Sequence, residues 1–255
     1  MDPETIKSII KSNFDESTAI YAAFEAKYGF FRQLTVILLK FCGIDKVTHI
    51  IDVGCGTGAS SFVLAETAQK VTGIDLSECM IAEAKKSKKT NTEFIAGDGE
   101  KLTEYFTDQV DAILYNASIF LLPSLHKSLE SAHTILKTNG ICGASYFISI
   151  YAQGIDLLDA ARKTGLARDG SVVKEQNIKN SYLDVFGNYV EKRVEIEMNI
   201  MQAEAFYSIP AQSASIFPRR SYEERLHLVH TLFSEIKESR NSLIMLWRLI
   251  KAIKI

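Results

Sequence analysis

Short apolar runs alternate with amphipathic stretches along most of this chain. The runs have the length of buried parallel strands, and in the stretches between them apolar residues recur every three or four positions, as in helices that cover a sheet. The apolar runs in the first part of the chain are 50–53, 71–75, the start of the unit 92–102, 110–116 and 141–147. This alternation predicts an α/β fold on a mostly parallel sheet.

The beginning of the chain is predicted to be helical. Apolar residues recur at helical spacing over residues 3–42, and Gly29 separates two such stretches. We expect a helical cap over residues 1–44 beside an α/β domain that spans residues 45–255.

The second half of the chain predicts further helices and two more strands. Apolar and charged residues alternate over 189–200, which indicates a sixth strand, and 242–253 is expected to be a seventh, antiparallel strand. The ranges with a helical pattern are 124–137, closed by residues 139–140, and 151–166, 178–186, 202–214 and 222–238. We therefore expect a seven-stranded sheet with an antiparallel last strand, helices on both faces, and helical lid insertions at about 151–175 and 201–238.

The first strand leads into a turn with three glycines at alternate positions. Gly54, Gly56 and Gly58 precede a helical stretch, and glycine tolerates positive φ and lets a ligand approach the backbone. Gly54, Gly56 and Ala59 also satisfy the loosest form of the dinucleotide fingerprint G-x-G-x-x-G/A. An NAD-type oxidoreductase is therefore one interpretation of this turn.

A carboxylate follows at the end of the second strand. Asp75 lies about 20 residues beyond the glycine turn, where a carboxylate can accept hydrogen bonds from both hydroxyls of a ribose. Ser77 is the expected N-cap of the next helix, so Asp75 is not needed for capping. Gly97 and Asp98 take the corresponding place after the third strand.

These segments resemble two motifs of the class I S-adenosylmethionine-dependent methyltransferases. Asp-Val-Gly-Cys-Gly-Thr-Gly at 52–58 resembles the first motif of that family, and Gly97-Asp98 resembles the segment whose Asp binds the adenine amino group. The similarity is strong over residues 45–147 and extends to 148–255 only in the order of elements. It is greatest in appearance to the small-molecule enzymes of the ubiquinone- and menaquinone-biosynthesis type.

The resemblance implies a Rossmann-like fold, S-adenosyl-L-methionine as methyl donor, S-adenosyl-L-homocysteine as product and a small-molecule acceptor. The expected cofactor contacts are Asp52, Gly54, Cys55, Gly56, Gly58, Asp75, Leu76, Asp98, Gly99, Asn116 and Tyr21. The expected acceptor contacts are Phe14, Tyr28, Phe120, Tyr146, Tyr151, Phe206 and Tyr207. In this interpretation Asp98 binds adenine N6, and the Gly99 backbone binds N1.

Four of these assignments have an alternative, which for Asp98 is a role as a turn residue only. Residues 13–21 resemble an N-terminal segment that folds over the cofactor, so Phe14 or Tyr21 faces the cofactor or acceptor, or else belongs to the core. Asn116 serves a ligand or has a structural role. Asn116-Ala-Ser-Ile stands where amino-methylating relatives have Asn-Pro-Pro-Tyr, which disfavours methylation of DNA bases.

Composition and charge exclude some classes of binding partner. A net charge of −2 over 255 residues gives no basic footprint for nucleic acid. Four cysteines (Cys42, Cys55, Cys79 and Cys142) without a C-x-x-C pair are typical of reduced, buried thiols in a cytoplasmic protein. No apolar run approaches the ~20 residues of a membrane span, and no signal-peptide pattern is present.

The sequence identifies no general base. His227 and His230 have a spacing compatible with a metal, but no third ligand is nearby, so we expect no metal site. The catalytic residues and the oligomeric state stay unassigned. A protein that binds the cofactor without transferring a methyl group is the alternative from a different functional class.

Overall fold

The computed structural model describes residues 1–87, 89–163, 173–237 and 242–255. The strands are β1 (Val47–Val53), β2 (Ala68–Asp75), β3 (Thr92–Ala96), β4 (Val110–Asn116), β5 (Leu136–Ala152), β6 (Ile155–Asp156), β7 (Val190–Met198) and β8 (Leu243–Ile253). The helices are α1 (Pro3–Tyr28), α2 (Phe30–Cys42), α3 (Ala59–Leu64), α4 (Glu78–Lys86), α5 (Leu102–Tyr105), α6 (Leu125–Ile135), α7 (Leu157–Lys163), α8 (Glu175–Phe186), α9 (Ile200–Tyr207), α10 (Pro210–Ile216) and α11 (Tyr222–Lys237).

The strands form one mixed sheet in the order β3-β2-β1-β4-β5-β8-β7, with the two-residue β6 paired to the end of β5. Strands β1 to β5 pair in parallel, and β8 is antiparallel to both of its neighbours. The predicted α/β fold with an antiparallel last strand is confirmed, with β6 as an addition. The strand order reverses beside β1, so the crevice for a ligand lies beyond the carboxyl ends of β1 and its neighbours.

The two N-terminal helices meet at Gly29, as predicted. Gly29 ends α1 with φ of 60°, a left-handed conformation that glycine adopts without a steric penalty. The buried Glu25 carboxylate accepts hydrogen bonds from the backbone N–H groups of Phe31 (2.9 Å) and Arg32 (3.0 Å) at the start of α2. These bonds satisfy N–H groups that have no partner within the helix, and they hold the two helices in a fixed arrangement.

The N-terminal helices share a hydrophobic core with the sheet and the later helices. The Phe24 ring lies 5.7 Å from the Phe206 ring on α9, and the Phe30 ring lies 5.9 Å from the indole of Trp247 on β8, measured between centroids. All four side chains are buried. Because this core joins residues from both sides of the proposed boundary, the division into a cap (1–44) and a domain (45–255) stays a prediction.

The fifth strand is longer than expected, and it corrects two predicted helices. It begins at Leu136, directly after α6, where the sequence predicted a helix to 137 closed by residues 139–140. It continues to Ala152, and a turn with Gly154 at φ of 79° leads into β6, so helix α7 starts only at Leu157 instead of 151. Pairing with β4 at Leu136 and with β8 from Ile141 to Ala152 decides the conformation. The remainder of the predicted helix, 164–166, and the predicted turn, 167–171, lie outside the described residues.

The predicted helix 202–214 is two helices. Pro210 opens α10 after a break that follows α9, because proline has no backbone N–H to continue the preceding helix but fits a first turn. The lid predicted at 201–238 therefore consists of α9, α10 and α11 over its described part. The lid predicted at 151–175 begins with the last residues of β5.

The cysteines and histidines differ in part from expectation. Cys42, Cys55 and Cys142 are buried free thiols, but Cys79 is exposed on α4, which corrects its predicted burial. Within the described ranges no three His, Cys, Asp or Glu side chains are grouped as a metal would need. The helices in the same ranges include none long and apolar enough to span a membrane.

Candidate functional site

A cavity of about 820 Å³, its open mouth included, lies at the carboxyl ends of β1, β2 and β4. Its walls contain most of the predicted cofactor contacts, namely Gly54, Gly56, Asp75, Leu76, Asp98, Gly99, Asn116 and Tyr21. Three chain segments far apart in sequence thus converge on one space. Asp52, Cys55 and Gly58 do not line it.

The glycine turn brings backbone to the cavity wall. Gly54 and Gly56 have φ of 72° and 54°, in the left-handed region. A methyl group added at Gly54 would collide with the Ser118 side chain, whereas at Gly56 it would meet nothing closer than the Tyr21 ring at 3.9 Å. Gly56 therefore leaves open space on the cavity side, where a ligand can approach the main chain.

Asp75 joins the turn to the second strand. Its Oδ2 accepts a hydrogen bond from the Gly56 N–H (2.8 Å), and its Oδ1 accepts one from the Ser77 N–H (2.9 Å). Burial raises the pKa of the Asp75 carboxyl above its ordinary value, against the opposing effect of these hydrogen bonds. Each carboxylate oxygen has more than one acceptor position, so Asp75 can still accept hydrogen bonds from a diol.

Asp98 also lines the cavity and is held by a lysine that the sequence did not indicate. Lys7 Nζ on α1 lies 2.8 Å from Asp98 Oδ2 and 2.6 Å from Glu100 Oε2. Burial lowers the pKa of Lys7, but hydrogen bonds with Asp98 and Glu100 outweigh it, so the net shift is upward. Asp98 Oδ1 also accepts the Glu100 N–H at 2.9 Å. One carboxylate thus fixes the chain that follows β3 and the start of the N-terminal helix.

One face of α1 forms a wall of this cavity. Lys7, Ile10, Phe14 and Tyr21 line it, and their spacing of three, four and seven residues places them on one side of a helix. The Tyr21 ring stacks on Phe31 with a centroid distance of 4.9 Å and an interplanar angle of 13°. The helical period was visible in the sequence and could have included Lys7.

The three predicted cofactor contacts that do not line the cavity pack against the glycine turn on its buried side. Asp52 is fully buried and accepts a hydrogen bond from Ser61 Oγ at 2.6 Å. Burial raises the pKa of Asp52 to about 7. Cys55 packs in a small hydrophobic cluster with Phe94, and Gly58 faces Phe94 and another ring. The cavity does not reach these side chains, so they shape the turn.

Asn116 borders the cavity, but its side chain is occupied by the protein. Its Nδ2 donates to Thr35 Oγ1 and to Ser60 Oγ, both at 2.9 Å, and its Oδ1 accepts from Ser145 Oγ at 2.7 Å. The amide therefore ties α2, α3, β4 and β5 together at the sheet edge. This arrangement favours the structural alternative for Asn116.

A second cavity, of about 1450 Å³ with its mouth, adjoins the first. The two share Phe14, Phe31, Ala117, Leu121 and Gln212. Five of the predicted acceptor contacts line the second cavity, namely Phe14, Phe120, Tyr146, Phe206 and Tyr207. The neighbouring space thus has largely aromatic walls.

Tyr28 and Tyr151 line neither of the two cavities, and their predicted contact with the acceptor stays a prediction. Tyr28 ends α1 and packs on Phe24 with a centroid distance of 5.1 Å. Tyr151 lies in the extension of β5, in register with Ile244 of β8. The predicted helix at 151 was wrong, and the side chain that it would have pointed at a ligand belongs to a strand.

Neither cavity has a histidine among its lining residues in the described chain. The titratable groups at the first cavity are Lys7, Asp75, Asp98 and Tyr21, and each except Tyr21 makes charged hydrogen bonds within the protein. At the first cavity, the described titratable groups other than Tyr21 are therefore already engaged within the protein.

Comparison with known proteins gives one family for this architecture. The family described as methyltransferase domain matches residues 44–190. Trans-aconitate 2-methyltransferase of Escherichia coli O1:K1 is 31% identical over 130 residues, which are 50% of this chain and 49% of that protein. The match thus spans about half the length of this curated relative.

Solved structures show the same fold at low sequence identity. A putative methyltransferase from an antibiotic biosynthesis pathway of Anabaena variabilis has a TM-score of 0.64 and 16% identity, covering 86% of this chain and 96% of its own. Phosphoethanolamine N-methyltransferase 2 of Haemonchus contortus, in complex with phosphomonomethylethanolamine and S-adenosylhomocysteine, has a TM-score of 0.53 and 15% identity, covering 86% and 52%. With a family match over more than half of its residues, the chain belongs to the methyltransferase-domain family.

Proposed function

We propose that this protein transfers a methyl group from S-adenosyl-L-methionine to a small-molecule acceptor. The observation that carries the proposal is the convergence of Gly56, Asp75 and Asp98 on one cavity that opens into a second, aromatic one. Family membership supports it, as does the S-adenosylhomocysteine bound in the Haemonchus relative. A dinucleotide enzyme has no comparable need for Asp98.

The residues at the first cavity suit the parts of this cofactor. Asp75 would accept the ribose hydroxyls, and Asp98 with the Gly99 backbone would contact adenine. The open space at Gly56 would admit the methionyl part beside the main chain. When bound, the cofactor supplies an electrophilic methyl group on a sulfonium. Tyr21 and Phe14 would face that cation, where a cation–π contact contributes about 0.5–2 kcal/mol.

The protein's contribution to the reaction would be alignment and exclusion of water. The bound donor would give up its methyl group to the lone pair of an acceptor atom, with the electron pair of the sulfur–methyl bond left on sulfur. The acceptor must be held within about 3–3.5 Å and in line with that bond. The residues common to both cavities, including Phe14, Phe31 and Gln212, would hold it there.

Isothermal titration with S-adenosylhomocysteine tests the cofactor assignment. Asp75→Ala should weaken binding by about ten- to a hundredfold, since charged hydrogen bonds contribute about 1.5–3 kcal/mol. Asp108→Ala, at an exposed position in the turn after α5, is the matched control and should bind normally. Normal binding by Asp75→Ala, or tighter binding of NADH in a fluorescence titration, would refute the proposal.

Turnover tests the enzymatic part. A screen of quinone precursors, carboxylic acids, amines and thiols should reveal an acceptor that gains 14 mass units, the mass of one CH₂, in the presence of the donor. Binding of the cofactor with no acceptor turned over would favour the non-catalytic alternative. A cytoplasmic location, the absence of nucleic-acid partners and the two-part domain division stay predictions.

A further inference from the structure

The second cavity contains buried polar groups whose hydrogen bonds are not made within the described chain. Tyr207 and Trp247 line this cavity and are 2% and 1% exposed. Neither Tyr207 Oη nor Trp247 Nε1 has a hydrogen-bond partner in the part of the chain that the structure describes. Buried polar groups are normally paired, because leaving one unpaired forfeits its hydration. Tyr146 Oη lines the same cavity and likewise has no partner among the described residues, so three unpaired groups at one cavity indicate that a ligand supplies a partner.

Aromatic rings form much of the surrounding wall. Phe206 packs edge-to-face on Tyr207 with a centroid distance of 5.1 Å, and Phe147 packs in the same way on Trp247 at 5.8 Å. All four residues line the cavity. Rings in these arrangements leave space for another planar or apolar group.

Two positively charged side chains, those of Arg162 and Lys174, line the same cavity. Arg162 of α7 lines it, and its guanidinium makes no hydrogen bond or ion pair with the residues of the described ranges. Its charge lowers the pKa of Tyr207, although burial and Asp156 produce a net upward shift. The carboxylate at this cavity, Glu175, is already paired with Lys179 (2.9 Å) and Arg248 (3.2 Å). Among the described residues of this cavity, the charge without an ion-pair partner is therefore positive.

The side chains with unpaired hydrogen-bond donors lie outside the first cavity, which is the proposed cofactor site. Arg162, Tyr207 and Trp247 line the second cavity but not the first, whereas the two cavities meet at Phe14, Phe31 and three other residues. A methyl group would be presented at that junction. A ligand group bound by Arg162 and Tyr207 is therefore an anchor and not the atom that becomes methylated.

We propose that the acceptor is an apolar or aromatic acid whose carboxylate is anchored by Arg162, Tyr207 and Trp247. Its body would lie between the aromatic walls, and its methylated atom would reach the junction of the cavities. Trp247 and Arg162 can only donate hydrogen bonds, so they disfavour an ammonium group at this place. The inference rests on the proposed function, because it assigns the acceptor for the same cofactor.

Titration of the protein saturated with S-adenosylhomocysteine tests the ligand class. The probes are benzoate, trans-cinnamate and octanoate, with cinnamamide as the neutral and phenethylamine as the cationic counterpart of cinnamate. At least one acid should bind, and cinnamamide should bind about tenfold or more weakly than cinnamate, the ratio expected for a charged hydrogen bond. No binding by any acid, preference for phenethylamine, or tighter binding of the tricarboxylate trans-aconitate would overturn the proposal.

Variants test the anchor. Arg162→Gln should weaken binding of the best acid by about tenfold or more, and Tyr207→Phe by about two- to tenfold, the ranges for charged and neutral hydrogen bonds. Arg193→Gln is the matched control, since Arg193 is exposed on β7 and lines neither cavity. All three variants should bind S-adenosylhomocysteine normally. If Arg162→Gln binds the acid as tightly as the unmodified protein does, the proposed anchor is wrong. If the unmodified protein does not bind S-adenosylhomocysteine at all, the proposed function is wrong.

Discussion

Gly54 and Gly56 belong to one turn but face different surroundings. At Gly54 the missing side chain makes room for Ser118, whose Oγ donates a hydrogen bond to the Val53 carbonyl. At Gly56 the missing side chain leaves part of the cavity open. The first glycine therefore serves the packing of the fold, and the second serves the ligand.

Alanine substitutions should separate these two roles. Gly54→Ala should lower the free energy of unfolding by several kcal/mol, because steric overlap at Ser118 adds to the cost of about 1–2 kcal/mol for a left-handed alanine. Gly56→Ala should cost only the latter but weaken binding of S-adenosylhomocysteine. Urea unfolding and isothermal titration measure the two effects. Equal loss of stability in both variants would contradict this division.

Asp52 makes stability depend on pH. Its pKa is about 7 in the folded protein against an ordinary value of 3.8. The folded chain keeps a proton that the unfolded chain loses, so this group's contribution to the free energy of unfolding falls as the pH rises from about 4 to 7 and is constant above that.

The Asp52→Asn variant should remove this dependence. Relative to the unmodified protein, it should gain up to about 4 kcal/mol between pH 4 and pH 8, at 1.36 kcal/mol for each pKa unit. Urea unfolding at both pH values measures the gain. Asp111→Asn is the control, because hydrogen bonds from Lys137 and the His49 N–H outweigh burial and lower the pKa of Asp111. A constant difference between Asp52→Asn and the unmodified protein would show that Asp52 is ionised in the fold.

Helix α1 is held by side-chain contacts with distant parts of the chain. Lys7 bonds to Asp98 and Glu100 across about ninety residues, with side-chain exposures of 9%, 15% and 3%. Further along the helix, Asp15 accepts a hydrogen bond from Ser77 Oγ at 2.5 Å. The helix is thereby attached to the segments that follow β2 and β3.

Replacing Lys7 should destabilise the whole fold. Lys7→Met leaves the buried Glu100 carboxylate without its cation and should lower the free energy of unfolding by about 3–5 kcal/mol. The double variant Lys7→Met/Glu100→Gln should recover part of that loss, because no buried charge remains unpaired at Glu100. Lys27→Met, at an exposed position of the same helix, should change stability by less than about 0.5 kcal/mol. If Lys7→Met unfolds like Lys27→Met, this ion pair does not hold the helix.

For the helices and strands, local sequence signals predicted some features and could not predict others. The bounds of β4 follow from local signals and were predicted, and the turn after β1 has positive φ at glycines, which tolerate it. The length of β5 was not, because its second half is held by β8, about a hundred residues later. Lys7 was missed for a similar reason: its partners after β3 become neighbours only when α1 packs on the sheet edge.

For the whole molecule, the connected cavities mean that ligand and fold stabilise one another. Strand ends, α1 and the lid helices all contribute to the walls, so a ligand in the first cavity contacts elements that would separate on unfolding. The sequence predicted which segments form the first cavity and most aromatic residues of the second. It did not predict that the two cavities share a wall, because that depends on how α1 and α10 pack.

Thermal unfolding measures this coupling. S-adenosylhomocysteine at a hundred times its Kd should stabilise the fold by about 2.7 kcal/mol and raise Tm by about 5–10 °C for a chain of this size. At the same ligand concentration Asp75→Ala should show a much smaller shift. A rise in Tm with NAD⁺ but not with S-adenosylhomocysteine would contradict the assignment of the cavity.

The Asn116 amide has a consequence for the evolution of this fold. Its hydrogen bonds reach Thr35, Ser60 and Ser145, each on a different element. Replacing Asn116 by an apolar residue removes a hydrogen-bond partner from Thr35, Ser60 and Ser145 at once. As sequences diverge, these positions should therefore be exchanged as a set, and an alignment of relatives should show them covarying even though they are scattered over more than a hundred residues.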